Sequence, residues 1–472
     1  MARVNRPRVR KTPNRFRIRA CGPLRNDHEI ANARQVFSFP TNTRHHAASP
    51  PRTRMMRTII HHPSILKALV WLALACALLP AHAGVADAPG ADLRVDLYTY
   101  GPGTIYWERF GHDALVITDT SSGEAYSFNY GMFDFDQKDF YLNFARGIMI
   151  YRAAVWPAAD DIQQFSGEGR SITDQHLNLA PAQRAALRDF LVWNVQPEHS
   201  RYRYRYFADN CTTRVRDALD RVLGGTLQRQ LTGPAAHGET YRSETDRLMS
   251  GQPWLMYLLD LGLGPYADQP LTRWAGAFIP ARLMNELRSV RASDGTPLVQ
   301  SETVLSPQRL PSPPAVPPDM RWPLLIAGLV LGAAFVASAW LRDQYEIERW
   351  WFAVVGALYA LVAGVAGALM LVLWFATAHR AAWANENLWL FNPIAWLLIP
   401  ALLRVRKPGA TCSRSGIATA TLMALLSLFA LVSKLIPAFP QHNLPWILFA
   451  LPAWAGLLWG TWLLRSRPGT WQ

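Results

Sequence analysis

The sequence predicts an α+β domain exported across a membrane and joined to an all-α membrane domain of about five helices. Three observations predict it. A leader pattern ends near residue 83, the next two hundred residues mix strand-like and amphipathic helical runs, and five apolar segments follow residue 320.

The leader begins at Met55 or Met56. Arg57 and Lys67 supply a basic start, Ile65 to Leu79 an apolar run, and Ala81-His82-Ala83 a small-residue site before Gly84. These are the parts of a secretory signal peptide. "LALAC" around Cys76 resembles a lipoprotein cleavage site, but Leu74 stands where a small residue is wanted. Signal peptides work from the chain terminus, so residues 1–54 are expected to be a mis-called, disordered extension. They carry thirteen Lys/Arg against two acids and no apolar periodicity, and so cannot bury a core. A nucleic-acid-binding arm is the other meaning of such charge; export argues against it, and no nucleic-acid partner is expected. The expected organisation is 1–54 extension, 55–83 signal peptide, 84–305 periplasmic domain, 306–320 linker, 321–466 membrane domain and 467–472 cytoplasmic tail. "SPQRLPSPPAVPPD" in the linker suits a stiff extended spacer.

The apolar segments, near 322–341, 351–376, 388–403, 416–437 and 445–464, mostly approach the ~20 residues that cross a bilayer. Pro393 and Pro400 interrupt the short third one. If the N-terminal domain is outside, Arg404, Arg406, Lys407, Arg414, Arg465 and Arg467 fall inside, whereas Arg380 is the only full positive charge in the outer loops. That distribution obeys the positive-inside rule and puts the C-terminus in the cytoplasm.

Within the exported domain a single cysteine remains. Cys21 lies in the extension, Cys76 in the leader and Cys412 in a cytoplasmic loop, so Cys211 has no disulfide partner. In "YFADNCTTRVRDALDRVLGG" the residues Val215, Ala218, Leu219, Val222 and Leu223 recur at helical spacing. Cys211 therefore starts an amphipathic helix, where the dipole and Arg214 are expected to lower a thiol pKa. It is either a small buried residue or a nucleophile, and a nucleophile needs a base and a group that orients the base. His112, in "FGHDALVITD", opens a strand that returns through "TSSGE" and Ala125–Tyr130. Asn129 on the returning strand is in place to orient it, with Asp119 and Tyr126 as alternatives; His176, His199 and His237 have looser polar surroundings.

"FGHDALVITD", "SFNYGMFDFDQKDFYLNFARGIMIYR", "YRYRYFADNCTTRVRDAL" and "NENLWLFNP" together resemble the Lnb N-terminal periplasmic domain family, over about 90–290 and more loosely in the membrane region. The resemblance implies a permuted papain-like fold, similar to NlpC-type and lecithin:retinol acyltransferase-type enzymes, in which the histidine hairpin precedes the cysteine helix. It implies Cys211 as nucleophile, His112 as base and Asn129 as orienting group, with Asn210, Thr212 and the Cys211 N–H supporting the oxyanion. It further implies N-acylation of bacterial lipoproteins at the inner membrane: a phospholipid as acyl donor, a Cys211 thioester, and a lipoprotein amine as acceptor. No cofactor and no metal is called for. A peptidoglycan amidase or endopeptidase, and a scaffold without activity, are the competing readings; five crossings exceed what a wall hydrolase needs.

Other motifs weigh less. "RYRYRYF" alternates as a strand, and Arg203 and Arg205 are weak candidates for lipid phosphate. Asp134, Asp136 and Asp139 lack the glycine and terminal glutamate of a calcium loop. Asn385 and Asn387, beside Trp383 and Trp389, are weak candidates for a headgroup path in an outer loop. His379 and His442 fall in outer loops without an assigned role.

Overall fold

The computed structural model describes residues 85–465 except 86, 136, 236 and 237. The expected extension, signal peptide and tail, with Cys21, Cys76, Asp136, His237 and Arg467, lie outside the described residues. The first domain runs β1 (Leu93–Tyr100), β2 (His112–Asp119), β3 (Ala125–Phe133), α1 (Phe140–Ala145), β4 (Ile150–Pro157), α2 (Ala158–Gly167), β5 (Ile172–Leu177), α3 (Pro181–Asn194), β6 (Arg201–Arg203) and α4 (Cys211–Val222). It continues with α5 (Thr226–Gln230), α6 (Tyr241–Met249), α7 (Pro253–Gly262), α8 (Arg273–Gly276), α9 (Pro280–Leu287) and β7 (Val299–Ser306). The strands form one antiparallel sheet in the order β6-β4-β3-β2-β1-β5-β7.

Alternation along each strand gives the sheet two buried faces. Leu97, Leu115, Ile117 and Phe128 pack with Val215 and Leu219 of α4 on one face. Tyr98, Tyr100, Ala114 and Val116 pack with Phe165 of α2 on the other. "RYRYRYF" keeps strand pairing only through Arg203; Tyr202 is buried between exposed Arg201 and Arg203, and the chain then turns. Residues 307–320 carry no helix or strand, but the segment is anchored: Gln308 accepts from Ser171 N–H at 2.7 Å, and Arg247 donates to Pro314 O.

Five membrane-length apolar segments follow. They are α10 (Arg321–Leu341), α11 (Glu346–Ala376), a third spanning Glu386–Arg404, then α13 (Arg414–Ser433) and α14 (Leu444–Leu463). The third is 3-10 helix over Pro393–Leu398 and ends in a short α12 (Ile399–Arg404), with Pro393 and Pro400 each near a helical start. The soluble domain is seated on these helices. Asp260 of α7 accepts from Trp446 Nε1 at 2.7 Å, and Leu261 O accepts from Asn385 and Asn387 at 2.8 and 3.0 Å.

Candidate active site

Cys211 is the first residue of α4 because Asn210 caps that helix. Asn210 Oδ1 accepts from Thr213 N–H at 2.9 Å, and its own N–H donates to Thr213 Oγ1 at 2.7 Å. The Asn210 amide donates to Tyr206 O and Phe278 O. Its donors are thus committed to holding the helix start, and its Oδ1 to the Thr213 N–H. α4 approaches the sheet closely at Gly131, whose φ of +91° suits glycine and where a Cβ would stand 3.5 Å from Cys211 Cβ.

His112 opens β2 at the same end of the sheet. Its Nε2 lies 2.8 Å from Asn129 Oδ1. The amide of Asn129 is oriented by what lies behind it: Nδ2 donates to Ser127 Oγ at 2.8 Å and Asp161 Oδ2 at 3.1 Å. Ser127 Oγ, Trp156 Nε1 and Tyr100 OH also donate to Asp161. With Nδ2 fixed on acceptors, Oδ1 faces the ring, Nε2 must carry the proton, and Nδ1 is left as a base. The ring lies nearly parallel to Tyr100 and Phe165, with centroids 5.8 and 6.1 Å away. Burial pushes the His112 pKa down to about 4, against the Asn129 hydrogen bond and with help from Arg170. The imidazole is neutral at neutral pH.

The Cys211 sulfur rests against the backbone N–H groups of Asp113 and Thr212 and lies 3.8 Å from Thr212 Oγ1. Among the described residues no hydrogen bond joins Cys211 to His112. The imidazole belongs to the α2 face of the sheet and α4 to the other, and they converge at its end. The helix position was expected to lower the thiol pKa. Instead burial, followed by the charge of Asp113, pushes it up to about 11. Arg214 does not compensate, because its Nε and Nη2 engage the Asp209 carboxylate and its guanidinium lies over Tyr202. Asp113 itself is fully buried and accepts from Thr99 Oγ1 at 2.8 Å; burial pushes its carboxyl up to about 7.

Of the other sequence candidates, Thr212 adjoins the site and the rest lie elsewhere. Thr212 is buried beside the thiol. Arg203 is exposed and donates to Gly147 O, and Arg205 is exposed at the turn before α4. Asn385 and Asn387 are buried and join α7 to the membrane helices. His379 bonds Phe144 O and Ala145 O at 3.2 Å, His442 lies near Asp268, and Asp134 accepts from Arg201 at 2.7 Å. Sequence reading missed Asp113 and Asp161. "WPAADDIQQF" reads as a helix start with acids in its first turn, and nothing in it marks Asp161 as the one turned inward. Gly131 had a signal, a glycine inside a strand pattern.

Residues 86–246 match the model of the Lnb N-terminal periplasmic domain, and residues 317–464 match that of the Lnb transmembrane domain. No curated protein and no solved structure matches. Both halves of the architecture are therefore accounted for by one family, and the chain belongs to it: a multi-pass Lnb-family membrane protein with a periplasmic N-terminal domain.

Proposed function

We propose that the protein is a cysteine acyltransferase of permuted papain-like fold that moves an acyl chain from a phospholipid to the N-terminal amine of lipoproteins. The observation that carries this reading is the clamp of His112 by Asn129 and Asp161, which presents Nδ1 as a base at the sheet end where the Cys211 helix begins. The Lnb family is linked to lipoprotein N-acylation, which supports the choice of substrates. The charge distribution supports a cytoplasmic C-terminus.

In the resting state thiol and imidazole are both neutral. Catalytic hydrogen bonds are commonly loose before substrate is seated. Once the donor ester is bound, Nδ1 of His112 takes the thiol proton as sulfur attacks the ester carbonyl. The N–H of Cys211 stabilises the oxyanion. Collapse breaks the acyl C–O bond, and His112 returns the proton to the departing lysophospholipid. The acceptor amine then attacks the thioester, loses a proton to His112, and leaves as an amide while the thiol re-forms.

The test is expression in cells depleted of their own lipoprotein N-acyltransferase, with mass spectrometry of lipoprotein N-terminal peptides. The expected result is an amide-linked acyl chain, lost in Cys211→Ala and in His112→Ala. Its absence from cells making the unaltered protein overturns the proposal. A peptidoglycan hydrolase would instead release muropeptides and leave lipoproteins unchanged.

A further inference from the structure

Trp193 of α3 and Val304 of the edge strand β7 are exposed singly, but two groups of exposed apolar side chains lie where the soluble domain meets the membrane helices. Tyr141 is 82% exposed and Leu142, Phe144 and Ile148 are exposed with it, all in or just after α1. On α7, Trp254 is 69% exposed, and Leu258 lies one turn on. Both helices are fastened to the outer ends of the membrane helices. Ala378, two residues past the end of α11, donates its N–H to Arg146 O at 2.8 Å, and His379 bonds the carbonyls of Phe144 and Ala145. Gly264, just after α7, donates to Ala381 O at 2.7 Å. Exposed Arg146, Arg203 and Arg380 stand around the α1 junction. A patch so placed, apolar below and cationic around, matches a bilayer surface with its phosphates.

The patch is continuous with the site. From Trp107 an aromatic wall runs through Phe133, Tyr151 and Tyr204 to Tyr206, and ends on His379, with successive centroids 6.1, 4.8, 4.4, 6.1 and 6.2 Å apart. Tyr204 and Cys211 meet over Gly131, 3.8 and 3.5 Å from where its Cβ would be. Phe110, two residues before His112, packs against the same cluster of Met249, Met256 and Met320 as Leu324 of α10, so this end of the sheet lies on the side of the membrane helices.

We propose that α1 is lodged in the outer leaflet and that the aromatic wall is a lateral entry along which one acyl chain of a bilayer phospholipid passes to Cys211. The lodgement stands on geometry alone; the entry role rests on the proposed acyl transfer. An acyl chain leaving the leaflet beside α1 meets aromatic surface along the way to the thiol and is not drawn through water. The arginines hold its phosphate at the surface.

Two measurements test this on the full-length protein in phosphatidylcholine nanodiscs. An NBD label on Leu142→Cys, in a background with Cys21, Cys76, Cys211 and Cys412 all changed to Ser, should lose more than half its emission when the lipid chains are brominated. The same label on Ser122→Cys, in the turn at the opposite end of the hairpin, should be unaffected. Equal emission loss at both positions, or none at 142, overturns the lodgement. In the second measurement, Cys211 acylation is followed by mass spectrometry with bilayer phospholipid and with a soluble short-chain thioester. The Tyr141→Ser, Leu142→Ser variant should lower the ratio of the two rates at least tenfold; an unchanged ratio overturns the entry role. If the unaltered protein takes an acyl group from neither donor, the proposed chemistry falls, and the label still decides the lodgement.

Discussion

At the scale of single residues, the site depends on side chains that never meet a substrate. Asp161 orients Asn129, which orients His112. Asp161→Asn gives the Asn129 amide a partner that can donate as well as accept, so the imidazole loses its fixed tautomer. A positioned acid–base group contributes about 10²–10⁴ in rate. We expect kcat to fall about ten- to a hundredfold with KM nearly unchanged, measured as acyl transfer in proteoliposomes. Because burial holds the His112 pKa down to about 4, the group is depressed below its unfolded value. Its neutral form, and the stability it contributes, persist at neutral pH and fade as pH falls from about 6.5 towards 4. The Cys211 thiol is shifted the other way. Iodoacetamide should alkylate it slowly at pH 8 and faster towards pH 11, and Asp113→Asn, removing a negative charge beside sulfur, should speed alkylation at pH 8 about tenfold, about one pKa unit. The positions of His112 and Cys211 were legible in the sequence because each starts a recognisable strand or helix, and Asn129, inside the returning strand, bonds the His112 ring. Asp161 and Asp113 were not, because whether a carboxylate is buried depends on which elements fold over it.

At the scale of elements, what was legible had a clear period. β2 is a short apolar run that returns through turn residues into β3, α4 repeats at helical spacing after an asparagine cap, and both lie where the pattern puts them. The pairing of β5 with β7 joins residues more than a hundred apart, beyond the reach of any local pattern. α1 escaped notice because a six-residue helix has too few turns to show a stripe. Its link to the membrane is sterically tight. Gly147 has a φ of +73°, and a Cβ there would come within 2.9 Å of the backbone of Ala378. Gly147→Ala therefore meets backbone strain of about 1–2 kcal/mol and a clash with main chain that cannot yield cheaply. We expect a thermal midpoint in detergent lowered by several degrees, and trypsin cleavage after Arg146 that the unaltered protein resists.

At the scale of the whole molecule, the two domains share a buried charge cluster. Arg242 donates to Asp260 and Asp268 inside the soluble domain, while Asp260 also accepts from Trp446 of α14. Leaving such carboxylates unpaired costs about 3–5 kcal/mol. Arg242→Met should therefore unfold or detach the soluble domain, whereas Trp446→Phe, losing one bond to a charged acceptor, should cost about 1.5–3 kcal/mol. Both can be read from chymotrypsin release of the soluble domain from proteoliposomes. Asp246, beside this cluster, is held well above the usual carboxylate range by burial and by Asp260. The native state keeps a proton that the unfolded chain has lost, so stability declines as pH rises above about 4. Asp246→Asn should flatten that decline. The five spans were readable from length and apolarity, but this junction was not: its residues are polar letters in an apolar context, and only the assembled fold gives them partners.

The main-chain bonds from Ala378 to Arg146 and from Gly264 to Ala381 have one more consequence. They fasten the soluble domain to the membrane helices at two points. Under the proposed acyl transfer, main-chain bonds then set the depth at which Cys211 works, like the height of a lathe tool above its bed. A donor carbonyl or an acceptor amine would be sorted first by whether it reaches that level, whatever sequence follows it.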